Sequence, residues 1–177
     1  MEVETHNPEE TQAVAAELVA RLAARQGIMG TATVVTLSGE LGAGKTTFMQ
    51  GVARALGVDA HITSPTFVIQ KTYDLARVPD PSLDQHEATH TDAHEDNAGD
   101  DRAGLAFDRM IHIDAYRLES TLELASLGWY EQLTNPKNII FMEWPEMVAS
   151  AVPDRAIEVR FEVHDETGRT ITITDFS

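Results

Sequence analysis

The sequence predicts an α/β fold in which a mostly parallel sheet lies between layers of helices and ends in an antiparallel C-terminal hairpin. Three observations carry this expectation. Apolar runs at residues 33–37, 110–114 and 138–143 have the unbroken character of strands covered on both faces, as parallel strands are. Stretches with helical apolar spacing and recognisable caps lie between and before them. The run Gly39-Glu40-Leu41-Gly42-Ala43-Gly44-Lys45-Thr46-Thr47 joins the first of these strands to a helix. It fits the pattern of Gly, four residues, Gly-Lys and Ser or Thr. Together these features describe a P-loop NTPase-like three-layer sandwich.

The elements follow in order. Asn7 is a natural N-cap, Pro8 suits the first helical position, and Glu9 and Glu10 occupy a first turn that favours acids. Val14, Leu18 and Leu22 then form a helical stripe, with Gly27 as its stop. After the first buried strand and the glycine loop, residues 45–56 read as a helix with Phe48, Val52 and Leu56 on one face and Gly57 beyond its end. Ser64-Pro65-Thr66-Phe67 is a polar turn leading into a strand at residues 68–73. The strand at residues 110–114 ends in Asp114, a helix is expected over residues 119–127 with Gly128 behind it, and a second buried strand over residues 138–145 carries the acid Glu143 at its end. Alternating strands at residues 156–164 and 169–175, joined through Asp165, Glu166, Thr167 and Gly168, complete the hairpin.

Composition narrows the function classes. With 177 residues, a single domain over residues 1–177 is the default. There is no cysteine, which excludes disulfides, thiolate metal sites and cysteine nucleophiles and fits a reducing compartment. The N-terminus lacks the basic start and apolar core of a secretion signal, and no apolar run approaches a membrane span. A soluble, cytoplasmic protein is expected. The formal net charge is −16, and half of it lies between residues 78 and 101, where eight acids stand without a Lys or Arg. Residues 77–104 have the composition of a disordered acidic insertion. His86, His90 and His94 recur every four residues inside it, a spacing that would suit a transition metal only on a helix that nothing nearby stabilises. Acidity outside this segment argues against nonspecific binding to phosphate backbones.

The glycine loop carries the chemistry. Its glycines allow backbone N–H groups to point inward at phosphate oxygens, and the helix N-terminus adds partial positive charge. This assigns Glu40, Leu41, Gly42, Ala43, Gly44, Lys45, Thr46 and Thr47 to nucleotide binding, with Lys45 on the β- and γ-phosphates and the Thr46 hydroxyl on Mg²⁺. Ligands of open α/β sheets lie beyond the carboxyl ends of the strands. Asp114 and Glu143 both stand at such ends, so either or both can contact Mg²⁺ directly or through water. Thr66, behind a rigid proline, can sense the γ-phosphate or simply shape a turn. Trp144 can stack on a ligand or partner, although a buried tryptophan filling the sheet edge is the commoner arrangement. Tyr116-Arg117 can bring positive charge to the site, or Arg117 can pair with a neighbouring acid.

In combination these residues resemble a known family. GELGAGKTT at 39–47, SPTF at 64–67, HIDAYR at 112–117, ELASLGWY at 123–130 and EWP at 143–145 occur in that order. The chain resembles the bacterial TsaE (YjeE) family, the ATPase component of the tRNA threonylcarbamoyladenosine machinery, from its first helix to about Val163. The resemblance implies a Mg²⁺-dependent ATPase with weak activity alone. Its implied partners are a threonylcarbamoyltransferase subunit and that subunit's paralogue, which modify adenosine 37 of tRNAs reading codons that begin with A. The tRNA is thus met through that complex. By the same resemblance Thr46 and Glu143 are Mg²⁺ ligands, Lys45 holds phosphates, Asp114 belongs to the catalytic site, and the segment near Glu9 to Thr11 approaches the nucleotide. The insertion at about 77–104 is longer than the short connection expected there. A small-molecule kinase and a nucleotide switch without turnover remain alternatives, and ATP is preferred over GTP only through the resemblance.

Overall fold

The structure is a computed structural model that describes residues 1–25, 30–58, 62–75 and 106–174. The acidic insertion with its three histidines, and the Gly27 helix stop, lie outside the described residues.

The chain opens with a short strand, β1 (Glu2–Thr5), followed by α1 (Pro8–Arg25). The helix starts where the sequence said it should. The Glu10 N–H donates to Asn7 Oδ1 (2.8 Å), and Glu10 Oε2 accepts from the His6 N–H (2.7 Å), so end groups without helical partners are satisfied from both directions. Next come β2 (Thr33–Ser38), α2 (Lys45–Ala55), β3 (Gln70–Asp74) and β4 (Arg109–Asp114). A single 3₁₀ turn at Ala115–Arg117 leads to two six-residue helices, α3 (Thr121–Ser126) and α4 (Trp129–Thr134). Strand β5 (Asn138–Glu143), a second 3₁₀ segment (Pro145–Ala151), β6 (Ile157–Val163) and β7 (Arg169–Thr174) complete the fold.

Among the described residues, seven strands form one sheet in the order β1-β7-β6-β2-β5-β4-β3. Strands β6, β2, β5 and β4 run parallel, as expected for the core. The β6–β7 hairpin is antiparallel, as expected. The opposite edge is antiparallel too, through β3 on β4, and β1 adds an antiparallel strand outside β7. Edges that differ in direction from the core are common when a parallel sheet is closed by hairpins rather than by further crossovers.

The sheet separates two apolar cores. On one face α1 and α2 pack Val14, Leu18, Leu22, Phe48, Met49 and Val52 against Val35, Leu37, Phe141 and Val159. On the other, α3, α4 and the 3₁₀ segments pack Leu118, Leu124, Trp129 and Val148 against Val34, Ile111, Ile113, Ile140 and Met142. Neighbours along β2 and β5 point to opposite cores, which is why these runs are apolar without alternation. Trp129 is fully buried, and its indole N–H donates to the Ala151 carbonyl (3.0 Å), so its polar edge is satisfied. Helices α1 and α2 cross at Gly51, where a Cβ would lie 2.6 Å from Gln12 Cα and 2.7 Å from its carbonyl oxygen. Glycine is required there by the approach of two backbones.

Candidate functional site

The carboxyl ends of three neighbouring parallel strands meet at one point of the sheet. Strand β5 lies between β2 and β4, so Glu143 is register partner to Leu37 on one side and to Asp114 on the other. Leu37 faces the core beneath α1 and α2, which puts the Glu143 and Asp114 side chains on that same face. Both acids are buried, at 3% and 2% exposure. Unneutralised carboxylates are seldom buried so deeply unless groups nearby hold them.

The glycine loop bridges β2 and α2 over this point. Gly39 leaves the strand with φ +148°, and a Cβ there would lie 2.8 Å from the Phe161 carbonyl oxygen, so no other residue fits without displacement. Gly44, with φ 105° and ψ 8°, caps α2 in the left-handed region and leaves its carbonyl to accept from the Phe48 N–H (2.9 Å). Lys45 is 5% exposed. Its ammonium donates to the Gly39 carbonyl (2.7 Å) and the Glu40 carbonyl (3.0 Å) and lies 4.3 Å from the centre of the Trp144 ring. Burial lowers the Lys45 pKa below its ordinary value, while Glu143, then Asp114 and Glu146, work in the opposite direction. Lys45 thus lies within electrostatic reach of both strand-end acids. Thr46 and Thr47 follow in the first turn of α2, each partly exposed, while Leu41 at the loop tip is 91% exposed.

Each acid has its own set of donors. Asp114 Oδ2 accepts from the Ser64 hydroxyl (2.8 Å) and from the Thr66 hydroxyl, and Oδ1 accepts from the Tyr116 N–H (3.0 Å). Glu143 Oε1 is 2.9 Å from His112 Nε2, an imidazole with no exposed surface. The turn carrying Thr66 is itself tied to β4. Pro65 O accepts from the Val68 and Ile69 N–H groups (2.8 and 2.6 Å), and the Asp114 N–H donates to Ile69 O (2.8 Å). Ile69 has φ +64°, a left-handed conformation that a β-branched residue adopts only when its surroundings impose it. The strand expected from residue 68 therefore begins at Gln70.

Most of the residues named from the sequence gather here: 39–47, Thr66, Asp114 and Glu143. Thr11 sits at the same end of the sheet, because β1 runs in the same direction as β2 and delivers the first turn of α1 there. Its hydroxyl is fully buried against Thr5 (3.1 Å). Two expectations differ from the geometry. Trp144 does not fill the sheet edge; it is partly exposed, with φ 58°, its ring between the Lys45 ammonium and the Tyr116 ring (5.1 Å between centroids). Left-handed backbone at Trp144 turns the chain sharply after Glu143 and brings the indole back over the loop. Arg117 lies over the 86% exposed Phe67 ring at 4.7 Å, rather than against an acid. Sequence reasoning missed Arg169, whose Nη1 lies 2.9 Å from where a Cβ on Gly44 would be. Only the β6–β7 register brings it to the loop, and no sequence signal reports that. Beside the loop, an open cleft of about 580 Å³ is lined by Gly39, Glu40, Leu41, Trp144, Arg160 and Phe161, among others. Among the described residues no group of three or more His, Asp or Glu side chains could hold a metal by itself, and no helix is long and apolar enough to cross a membrane.

Comparison with known proteins bears on this arrangement. The family profile described as "Threonylcarbamoyl adenosine biosynthesis protein TsaE" matches residues 5–110 and 100–171. The tRNA threonylcarbamoyladenosine biosynthesis protein TsaE of Bacillus subtilis (strain 168) is 30% identical over 170 residues, covering 96% of this chain and 82% of that protein. The protein of the same name from Mycobacterium tuberculosis (strain ATCC 25618 / H37Rv) is 32% identical over 135 residues, covering 73% of this chain and 63% of its own length. Among solved structures, the crystal structure of Bacillus subtilis YdiB is similar with a TM-score of 0.64 and 25% identity, covering all of this chain and 86% of that one.

Proposed function

This chain belongs to the TsaE family of tRNA threonylcarbamoyladenosine biosynthesis proteins, and we propose that within that pathway it is a Mg²⁺-dependent ATPase whose activity is governed by a partner complex. The observation that carries the reading is the pairing of Asp114 with Glu143 in register beside the buried Lys45 and the glycine loop. A phosphoanhydride site needs this combination: inward N–H groups and a cation for the phosphates, and carboxylates for a metal and for water.

The donor set suits Mg²⁺. A hydroxyl and two carboxylates are hard oxygen ligands, and with too few acids among the described residues to enclose an ion, the remaining ligands would be nucleotide oxygens and water, as Mg²⁺ prefers. Thr46, Glu143 and Asp114 would hold it, and when bound it would neutralise charge on the β- and γ-oxygens. The residues of the chain then divide the work. Lys45 exchanges the Gly39 and Glu40 carbonyls for phosphate oxygens, and the N–H groups of residues 40–47 cradle the chain of phosphates. Asp114, held by Ser64 and Thr66, would orient the attacking water, while Thr66 would report γ-phosphate occupancy to the turn behind it. Weak activity alone fits a lysine that already has two carbonyl partners and an aromatic face, since nucleotide must compete with all three.

The partners we assign are a threonylcarbamoyltransferase subunit and its paralogue, with tRNA reached through them and the whole operating in the cytoplasm. The test is phosphate release measured alone and with the purified partner pair. Stimulation by the pair, and a loss of about 100-fold or more in Lys45→Ala, supports the reading. Equal release by wild type and variant refutes hydrolysis at this loop, and stoichiometric phosphate transfer to a metabolite would make the protein a kinase.

A further inference from the structure

The buried imidazole of His112 has no part in the scheme above, yet it touches one of its central groups. His112 stands two residues before Asp114 on β4 and so faces the same core. Its Nε2 is 2.9 Å from Glu143 Oε1, neither ring edge reaches solvent, and Nδ1 is buried with no hydrogen-bond partner among the described residues.

The hydrogen-bond inventory sets the direction of this contact. An ionised carboxylate only accepts, so Nε2 must carry the proton in this contact. His112 Nε2 is therefore a donor aimed at one oxygen of Glu143. A glutamate at the end of a strand has three side-chain torsions, and ordering them is an entropic cost that any ligand requiring one fixed carboxylate must otherwise meet. Asp114 is held by Ser64, Thr66 and the Tyr116 N–H; among the described residues, Glu143 is held by this ring.

We propose that His112 is a positioning residue for the metal-binding carboxylate: it binds Glu143 Oε1, reserves Oε2 for Mg²⁺, and so sets the metal affinity of the nucleotide complex without touching nucleotide or metal. The inference rests on the reading of Glu143 as a metal ligand. Partners behind a metal ligand commonly change metal affinity by 10- to 100-fold when removed. A histidine that merely fills the core would alter stability and nucleotide affinity irrespective of metal.

The test compares wild type, His112→Phe (similar in size, without a donor), His112→Gln (donor retained) and Glu143→Gln. Affinity for a fluorescent ATP analogue is measured without divalent ions and across a Mg²⁺ titration, and Mn²⁺ binding to the nucleotide complex is followed by electron paramagnetic resonance. Thermal melting identifies any variant that fails to fold. In His112→Phe the half-saturating metal concentration rises 10- to 100-fold while metal-free nucleotide affinity stays within about twofold, and His112→Gln recovers most of the difference. Equal losses with and without metal, or no rescue by Gln, overturn the positioning role. If Glu143→Gln shifts metal dependence and His112→Phe does not, this inference alone fails. If neither shifts it, Glu143 is not the metal ligand, and the proposed site fails with it.

Discussion

Replacing Gly51 by alanine tests the packing that holds α2, the helix behind the glycine loop, in place, because two effects of known size oppose each other there. Gly51 lies in the interior of α2, where alanine is normally favoured over glycine by about 0.8–1 kcal/mol. Its added methyl would, however, meet Gln12 Cα at 2.6 Å, the Gln12 carbonyl oxygen at 2.7 Å and Ala15 Cβ at 2.9 Å. Two of the three are backbone atoms of α1 and cannot rotate away, so the helices must separate by several tenths of an ångström. Overpacking of this kind typically costs about 1–3 kcal/mol, and contacts this short on rigid atoms put Gly51→Ala at the upper end. The clash outweighs the propensity gain, and the net loss is about 1–2 kcal/mol. For a domain of this size that lowers the melting temperature by about 2–8 °C. Urea titration of wild type and variant gives the free energy, with an unchanged slope showing that the denatured state is the same. A variant more stable than wild type by about 1 kcal/mol would mean that α1 yields freely, and the argument from close helix approach would be wrong.

Thr66→Val removes one of three donors to Asp114 among the described residues and should destabilise the protein by about 1–2 kcal/mol in urea titrations, toward the lower end of the range for hydrogen bonds to charged groups because Ser64 and the Tyr116 N–H remain. Phosphate release should fall further in this variant than the stability loss alone explains, and unchanged release would separate Thr66 from the chemistry. At low pH, the carboxyls of Glu10 and Asp165 should matter. Glu10 is held below its ordinary value first by the His6 N–H, and Asp165 by the Gly168 and then the Thr167 N–H. A folded pKa below the unfolded one means that the unfolded chain binds more protons in between, so stability is lost as pH falls from 4.5 for Glu10, or 3.8 for Asp165, through the folded values. The double variant Glu10→Gln with Asp165→Asn should therefore show a shallower acid limb in urea midpoints measured as a function of pH, and an unchanged limb would refute it.

Legibility in the sequence followed the range of the interactions involved. The loop at 39–47 and α2 were legible because a glycine spacing, a β-branched run and a 3.6-residue stripe are all local signals. The entry into α1 was equally plain, since Asn7, Pro8 and Glu10 act on their immediate neighbours. Strand β1 escaped notice: four residues with acids at Glu2 and Glu4 and one partly buried Val3 carry almost no pattern, and what makes them a strand is the waiting edge of β7. Helix α4, six residues long, is too short for periodicity and is held by Trp129 in the core. The two acids were legible as strand ends, but their adjacency depends on β5 lying between β2 and β4. The same long-range ordering hides the His112–Glu143 contact, the approach of Arg169 to Gly44, and the left-handed Ile69 imposed by its hydrogen bonds to Pro65 and Asp114.

The pairing of Asp114 with Glu143 has a consequence for how such a protein can diverge. Their backbones are neighbouring rungs of one ladder, so their spacing is the inter-strand distance of any β-sheet, about 4.8 Å. No loop length enters that distance. The chain between β3 and β4 can therefore be lengthened, shortened or recharged while the two carboxylates stay where the ladder puts them. A site measured in this way by main-chain hydrogen bonds lets surface segments change while the acids beside the glycine loop keep their separation.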